Sequence, residues 1–498
     1  MALLGESEAL EALNLGDPAF VWRTLVADEI TPVGAAARLI EPERGDFLLE
    51  SVEGGAHRGR YSLLGLDPDL VLRADGTSTT INRRWTEDRD AFEQVEAAPL
   101  DALRALLEEI RADIPSALPP AIATLVGYFA YESFGWIEPV RRPDRDALGT
   151  PDLFFVRPRC LLVFDNVGDT LFAIAPLYPS DTDPAEQIAD AEARLGNTIA
   201  ALDRPRAWTA KRPDGAIAIR HSIDPGEYTA RVARAKDYIS AGDIFQVVLA
   251  QRFSTDFTLE PFALYRALRR VNPSPFLFHL DLPGFALVGS SPEILVRLRD
   301  GEVAIRPIAG TRPRGKSEAE DRALEAELRA DPKECAEHLM LLDLARNDVG
   351  RVAKPGTVTV TESYGCERYS HVMHLVSHVT GELDLSRADP LDALFAGFPA
   401  GTVSGAPKIR ACQIITELED EQRGAYAGAV GYFAPDGSFD SCITLRTAIV
   451  KDGQMHVTAG AGIVADSDPA SEQRECEAKA GALFAAAREA YRVAGEPE

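Results

Sequence analysis

The chain is 498 residues long, 46% hydrophobic and 26% charged, a balance that lets a globular protein bury a large core and excludes a disordered one. Its formal charge of −26 excludes a basic face of the kind that releases counterions, so neither nucleic acid nor an anionic membrane surface is an expected partner. A small anionic ligand would have to be held by a local cation, by arginines or by converging backbone N–H groups.

The six cysteines form no C-x-x-C pair, which fits a reducing compartment. Residues 1–17 carry Glu6, Glu8 and Glu11 and lack the basic-then-apolar order of a secretory signal, and no stretch is long and apolar enough to span a bilayer. A cytoplasmic location is the expectation.

Thr31-Pro32 before an Ala-rich run has the cap and first-turn signals of a helix, and residues 47–50 read as a short buried strand. Strand-like runs follow at 61–66, 122–131 and 153–164, with another near Leu171. The aperiodic segment 203–215 suits a linker, giving an expected N-terminal region 1–200 and a second region 220–498. Beyond it the pattern predicts a helix over 225–241, strands at 244–253, 276–280, 286–289 and 294–298, and helices over 317–329 and 333–346. A meander of strands at 428–433, 441–450 and 454–459 is closed by a helix from 469 to about 492. Strands in runs, with helices grouped between them, point to an α+β fold.

Helix 333–346 places Glu334 and Glu337 three apart on one face, and the terminal helix repeats that spacing with Glu472 and Glu475. Each pair alone reads as a solvated helix face; together they could hold a hard cation whose shell is completed by water and ligand oxygens. Gly460-Ala461-Gly462, at the end of an apolar strand, lets backbone N–H groups converge on an anion, although a simple bend is the commoner use of such glycines. Arg446, flanked by apolar residues on the expected strand 441–450, needs an anionic partner if buried, and Tyr426 could add a hydroxyl. His371, His374 and His378 invite a zinc reading, but strand-like alternation puts His371 and His374 on opposite faces. Gly401 to Lys408 does not meet the phosphate-loop order, and no dinucleotide or hydrolase fingerprint occurs.

The stretches Ala241 to Arg252, Pro307 to Gly315, Glu337 to Asp348, Phe398 to Lys408 and Ala459 to Ile463 together resemble the chorismate-utilising enzymes, most closely the anthranilate synthase component I branch. Leu48 to Ser51 and Arg60 to Ser62 resemble that branch's regulatory segment. The resemblance implies antiparallel sheets packed as a β-sandwich-like core with outer helices. It also implies conversion of chorismate and ammonia to anthranilate and pyruvate, the first step of tryptophan biosynthesis.

By the same resemblance, Glu337 and Glu475 bind Mg²⁺, which holds the ring carboxylate with the N–H groups of Gly460, Ala461 and Gly462, and Lys479 lies beside them. Tyr426 and Arg446 hold the enolpyruvyl carboxylate, Gly310 and Thr311 the ring, Glu334 is the general acid and His374 the catalytic histidine. Gln246 stands where water-adding members carry a lysine base, and Ala309 where aminodeoxychorismate enzymes carry a nucleophilic lysine, so ammonia and the tryptophan branch are implied. Relatives usually have Asn just before the lysine at 479, where this chain has Ala478.

Tryptophan, as feedback inhibitor, is expected between Glu50-Ser51 and the segment Pro275, Phe276 and Leu277, with Glu50 taking its ammonium and Arg60 a further contact. No glutaminase motif is present, which implies a separate glutamine amidotransferase subunit and a heterotetramer of two large and two small subunits. The rival readings are another chorismate-utilising enzyme, such as aminodeoxychorismate synthase, and a non-catalytic tryptophan-binding subunit.

Overall fold

The computed structural model describes residues 2–53, 57–204, 217–368 and 372–495. The candidate linker falls largely, and His371 wholly, outside these residues. Among them no helix is long and apolar enough to cross a membrane.

All named strands pair antiparallel, and two unusually long ones organise the rest. Tyr61–Asp75 and Leu153–Asp165 run side by side with one register shift between Pro68 and Leu70. At one end of this pair, Phe47 to Leu49 of the strand Asp46–Glu50 lie against Leu63 to Gly65. From there a sheet continues through Phe276–Leu282, Phe285–Ser291, Thr447–Lys451 and Gln454–Ile463 to Gln246–Asp256. At the other end, Leu125–Phe129 pairs with Leu153–Asp165 and leads through Ala429–Phe433, Phe439–Ile443, Ile294–Arg299 and Glu302–Ile305 to Val372–Glu382. Both routes use strands from the two sequence halves, so residues 1–200 and 220–498 share their sheets.

Strand alternation explains why the two routes fold onto each other. Phe278, Leu280 and Leu282 of one and Val126, Tyr128, Val430 and Cys442 of the other belong to a single buried cluster. Phe285 seals it edge-on against Tyr128 at 6.1 Å and Phe154 at 6.4 Å between ring centroids. Helices pack on the outer side of the sandwich. Burying the aromatic anchors Phe278, Tyr128 and Phe154 contributes roughly 2 kcal/mol each before entropy is counted.

Local sequence signals set the ends of the helices around this core, including the one that carries Glu334 and Glu337. Pro332–Gly350 begins at Asp331, whose carboxylate accepts from the N–H groups of Lys333 and Glu334, with Pro332 in the first turn. Pro225–Ala241 begins at Asp224 and stops at Gly242, whose φ of 85° suits glycine. One sequence expectation fails in an informative way. The expected strand 441–450 is two strands, Phe439–Ile443 and Thr447–Lys451, and the chain passes from one sheet route to the other between them. Arg446 sits at this step with φ of 46°, a left-handed conformation that costs a non-glycine residue about 1 kcal/mol or more.

Candidate active site

A cavity of about 420 Å³ opens where Gln246–Asp256, Gln454–Ile463, the step at Arg446 and helices Pro332–Gly350 and Pro469–Gly495 meet. Gln246, Gly310, Thr311, Glu337, His374, Tyr426, Arg446, Gly460, Gly462, Glu475 and Lys479 all line it, although they are spread over more than two hundred positions. Glu334 and Ala461 do not.

The carboxylates form one electrostatic group. Burial first, then the negative charges of Glu334 and Glu475, hold the Glu337 carboxyl above its ordinary range, with Lys333 and Lys479 opposing. Lys479 spans the group and the glycine strand, pairing with Glu475 at 2.8 Å and donating to the Gly460 carbonyl at 2.9 Å. Glu334 is placed differently: it accepts from Arg312 at 3.1 Å and lies behind Gly310. Among the described residues, no group of three or more His, Cys, Asp or Glu is arranged as a ready metal cage. Two carboxylates facing one cavity still fit Mg²⁺, which keeps several waters and takes further oxygens from its ligand.

The glycines serve a purpose other than the one expected. Residues 460–462 are part of the extended strand paired with Gln246–Asp256, so successive N–H groups point to opposite sides and do not form a converging nest. A side chain at Gly460 would begin 2.8 Å from the Tyr426 hydroxyl, and one at Gly462 would begin 2.6 Å from the Gln246 amide nitrogen. The glycines therefore let these two polar side chains lie flat on the strand. Thr447–Lys451 leaves this strand after Val457, so 458–463 have one edge without a strand partner among the described residues, along which the Gly460 backbone meets the Tyr426 hydroxyl.

Gly310, at φ of 66°, forms the bulge between Ala309 and Thr311, and its carbonyl meets His374 Nδ1 at 2.9 Å. Donation from Nδ1 to that carbonyl selects the tautomer with Nε2 as proton acceptor. Burial is the main cause that lowers the His374 pKa, and the nearby Arg446 charge adds to it, so the ring is neutral at pH 7. Thr311 Oγ1 lies 3.1 Å from the same nitrogen.

Two polar atoms in this cavity wall are buried with no hydrogen-bond partner among the described residues, Gln246 Oε1 and Asn272 Nδ2. Leaving such groups unmade costs about 1–3 kcal/mol each, which a bound ligand relieves. Asn272 Oδ1 is 3.5 Å from Arg446 Nη1.

Glu293 escaped the sequence reading. It follows Pro292 in the short link between two apolar strands, is buried, lines the cavity and accepts from Thr402 at 3.0 Å. Burial pushes its carboxyl up to about 8, against the opposing charges of Lys479 and Arg446. A carboxyl wedged between two hydrophobic strands was the available signal.

A second cavity, of about 960 Å³, shares Pro292 and Ile308 with the first. It brings together Glu50, Ser51, Arg60, Pro275, Phe276 and Leu277, with Leu277 opposite Glu50 in register. The segment Asn272 to Leu277 straddles both cavities, its first three residues in one wall and its last three in the other. Glu50 is not an open counter-ion here: Tyr265 donates to it at 2.6 Å and Arg269 at 3.0 Å. Arg60 is exposed and paired with Asp165.

The family model for chorismate binding enzymes matches residues 46–485. The anthranilate synthase component 1 of Cereibacter sphaeroides is 51% identical over 480 residues, with 95% of each chain covered. That of Thermus thermophilus is 48% identical, over 93% of this chain and 96% of the relative. The crystal structure of anthranilate synthase component I from Streptococcus pneumoniae superposes with a TM-score of 0.75 at 34% identity, covering 92% of this chain and 99% of that one. A menaquinone-specific isochorismate synthase from Escherichia coli shares the fold, with a TM-score of 0.70 at 21% identity and coverage of 97% and 99%. The chain thus belongs to the chorismate binding enzyme family, on the branch of its anthranilate synthase component 1 members.

Proposed function

We propose that this protein is the large subunit of an anthranilate synthase, joining ammonia to chorismate and releasing pyruvate and anthranilate. The observation that carries the reading is a single cavity in which Glu337, Glu475 and Lys479 stand with Arg446, Tyr426 and a buried neutral carboxyl, Glu293. Chorismate carries two carboxylates, and such a cavity offers a separate binding group for each.

In this reading the enolpyruvyl carboxylate lies against Arg446 and the Tyr426 hydroxyl, and the ring lies over Gly310 and Thr311. Glu337 and Glu475 would hold Mg²⁺, which supplies positive charge for the ring carboxylate when bound. Alternate N–H groups of Gly460 to Gly462 support the same carboxylate. Ammonia attacks ring C2 while the C4 hydroxyl departs, and the leaving oxygen must gain a proton. Glu293 is the stronger acid candidate of the two carboxyls considered, because burial keeps it protonated at neutral pH, whereas Glu334 is ion-paired to Arg312 and outside the cavity wall. Gln246 Oε1, buried without a partner, orients ammonia by accepting one of its N–H groups. His374 then takes the ring proton through Nε2 as pyruvate leaves and the ring becomes aromatic.

Tryptophan is the proposed occupant of the second cavity, and the wall shared through Pro292, Ile308 and the segment Asn272 to Leu277 supports inhibition. The larger cavity draws on both the regulatory part, 1–200, and the catalytic part, 220–498, whereas the smaller one is lined by residues of 220–498. A separate glutaminase subunit supplies ammonia in the cell, in a heterotetramer in the cytoplasm.

Purified protein given chorismate, Mg²⁺ and an ammonium salt should develop the fluorescence of anthranilate, and tryptophan should suppress it. Aminodeoxychorismate or isochorismate as product, or no turnover, would overturn the reading.

A further inference from the structure

Arg423 is one of the most deeply buried cations in the molecule, its side chain 2% exposed, and it touches no proposed substrate position. It holds Glu419 by two hydrogen bonds, of 2.8 and 2.6 Å, and donates to the Val403 carbonyl at 2.8 Å and the Val248 carbonyl at 2.7 Å. Glu419 in turn accepts from the Ala250 N–H at 2.8 Å. The guanidinium lies 5.6 Å from the centre of the Tyr426 ring and 4.7 Å from that of Tyr131. Val248, Val403 and Tyr426 all line the substrate cavity, and they come from three separate segments.

The backbone of the same residue is also held. Glu132 accepts from the N–H groups of Arg423 and Gly424 at 2.7 and 3.0 Å, and the Tyr131 N–H donates to the Gly424 carbonyl at 2.8 Å. One short turn of the N-terminal half therefore fixes the stretch that ends, two residues later, at Tyr426.

From this arrangement we infer that Arg423, seated on Tyr131 and Glu132, is a positioning residue that sets the Tyr426 hydroxyl and the Val248 and Val403 walls for chorismate. A planar guanidinium satisfies four acceptors in fixed directions, which a lysine cannot do. Losing two such directed bonds shifts the walls while the charge stays. The consequence falls on the substrate end that Tyr426 grips and not on the ammonia end at Gln246.

The inference rests on the assignment of Tyr426 as a chorismate contact, so the test is a double-mutant cycle of Arg423→Lys and Tyr426→Phe, read by the KM values for chorismate and for ammonium. Arg423→Lys should raise the chorismate KM about tenfold, the effect of one directed hydrogen bond, and leave kcat and the ammonium KM nearly unchanged. In the Tyr426→Phe background the same substitution should change the chorismate KM less than about threefold, because the group it positions is already gone. Additive losses, or a fall in kcat with an unmoved chorismate KM, overturn the inference. A Tyr426→Phe variant with a normal chorismate KM instead sinks the substrate assignment itself. Should Arg423→Lys fail to fold, Tyr131→Leu, which removes the ring beside the guanidinium together with its hydroxyl, should raise the chorismate KM by about threefold, and an unmoved value overturns the inference.

Discussion

The two cavities share a wall, yet they treat the polar residues assigned to their ligands in opposite ways. In the smaller one, Gln246 Oε1 and Asn272 Nδ2 are buried without partners and Glu293 is buried and protonated. In the larger one the two charged residues assigned to tryptophan are already satisfied by the protein, Glu50 by Tyr265 and Arg269, and Arg60 by Asp165, while Asp440 Oδ1 in its wall is buried without a partner among the described residues. Among the assigned residues, unsatisfied groups and a displaced carboxyl stand where a ligand is to be transformed, and charges that the protein itself pairs stand in the roomier pocket whose ligand only binds. The comparison teaches which of two neighbouring pockets to call the site of chemistry.

The largest effect should come from Glu293→Gln. If the buried carboxyl donates the proton to the leaving oxygen, kcat should fall about 10²–10⁴-fold with little change in the chorismate KM. A loss under about fivefold would remove that asymmetry between the pockets. The pH profile makes the same point. The folded protein keeps a proton on Glu293 that the unfolded chain releases above the ordinary glutamate value of 4.5, so this group's contribution weakens folding as pH rises from there towards about 8. With the concentration of free ammonia held fixed, activity should hold through that window and fall about tenfold per unit above it, and a profile flat to about pH 10 under that condition would contradict the assignment.

Next in size, Glu337→Gln should raise the Mg²⁺ concentration needed for half activity by about 10–100-fold or abolish turnover, read by titrating metal into chelator-treated enzyme. Because one of two carboxylates is removed, an unshifted titration would move the cation out of this cavity. Arg446→Ala should raise the chorismate KM by about 10–100-fold, since a charged hydrogen bond contributes about 1.5–3 kcal/mol.

The smallest catalytic effect should follow Ser51→Phe in the larger cavity. Activity without tryptophan should stay within about twofold while inhibition weakens at least tenfold, as bulk fills the pocket and its shared wall stays in place. Full tryptophan sensitivity in that variant would remove the regulatory assignment and leave the catalytic one standing.

Much of this was legible in sequence because local signals and tertiary context agreed. The helix Pro225–Ala241 carries its cap at Asp224 and its stop at Gly242, and the reading and the structure coincide there. The strands from Phe276 to Arg299 fall within two residues of their expected ends. The chorismate residues came from the family resemblance, and all of them but Ala461 line one cavity. What stayed hidden depends on distant partners. The break at Arg446 follows from the chain changing sheets, which the unbroken apolar run 441–450 does not announce. Glu293 is held by Thr402, 109 positions away, and Glu50 by Arg269, 219 positions away. The glycines at 460 and 462 were legible as close-approach positions, but what approaches them is Tyr426 and Gln246.

The most direct test is a crystal structure of the Glu293→Gln variant with Mg²⁺ and chorismate. One carboxylate should sit on a metal between Glu337 and Glu475, the other against Arg446 and Tyr426, with the C4 hydroxyl facing residue 293. Chorismate in the larger cavity, or bound with Arg446 turned away from it, would contradict the account.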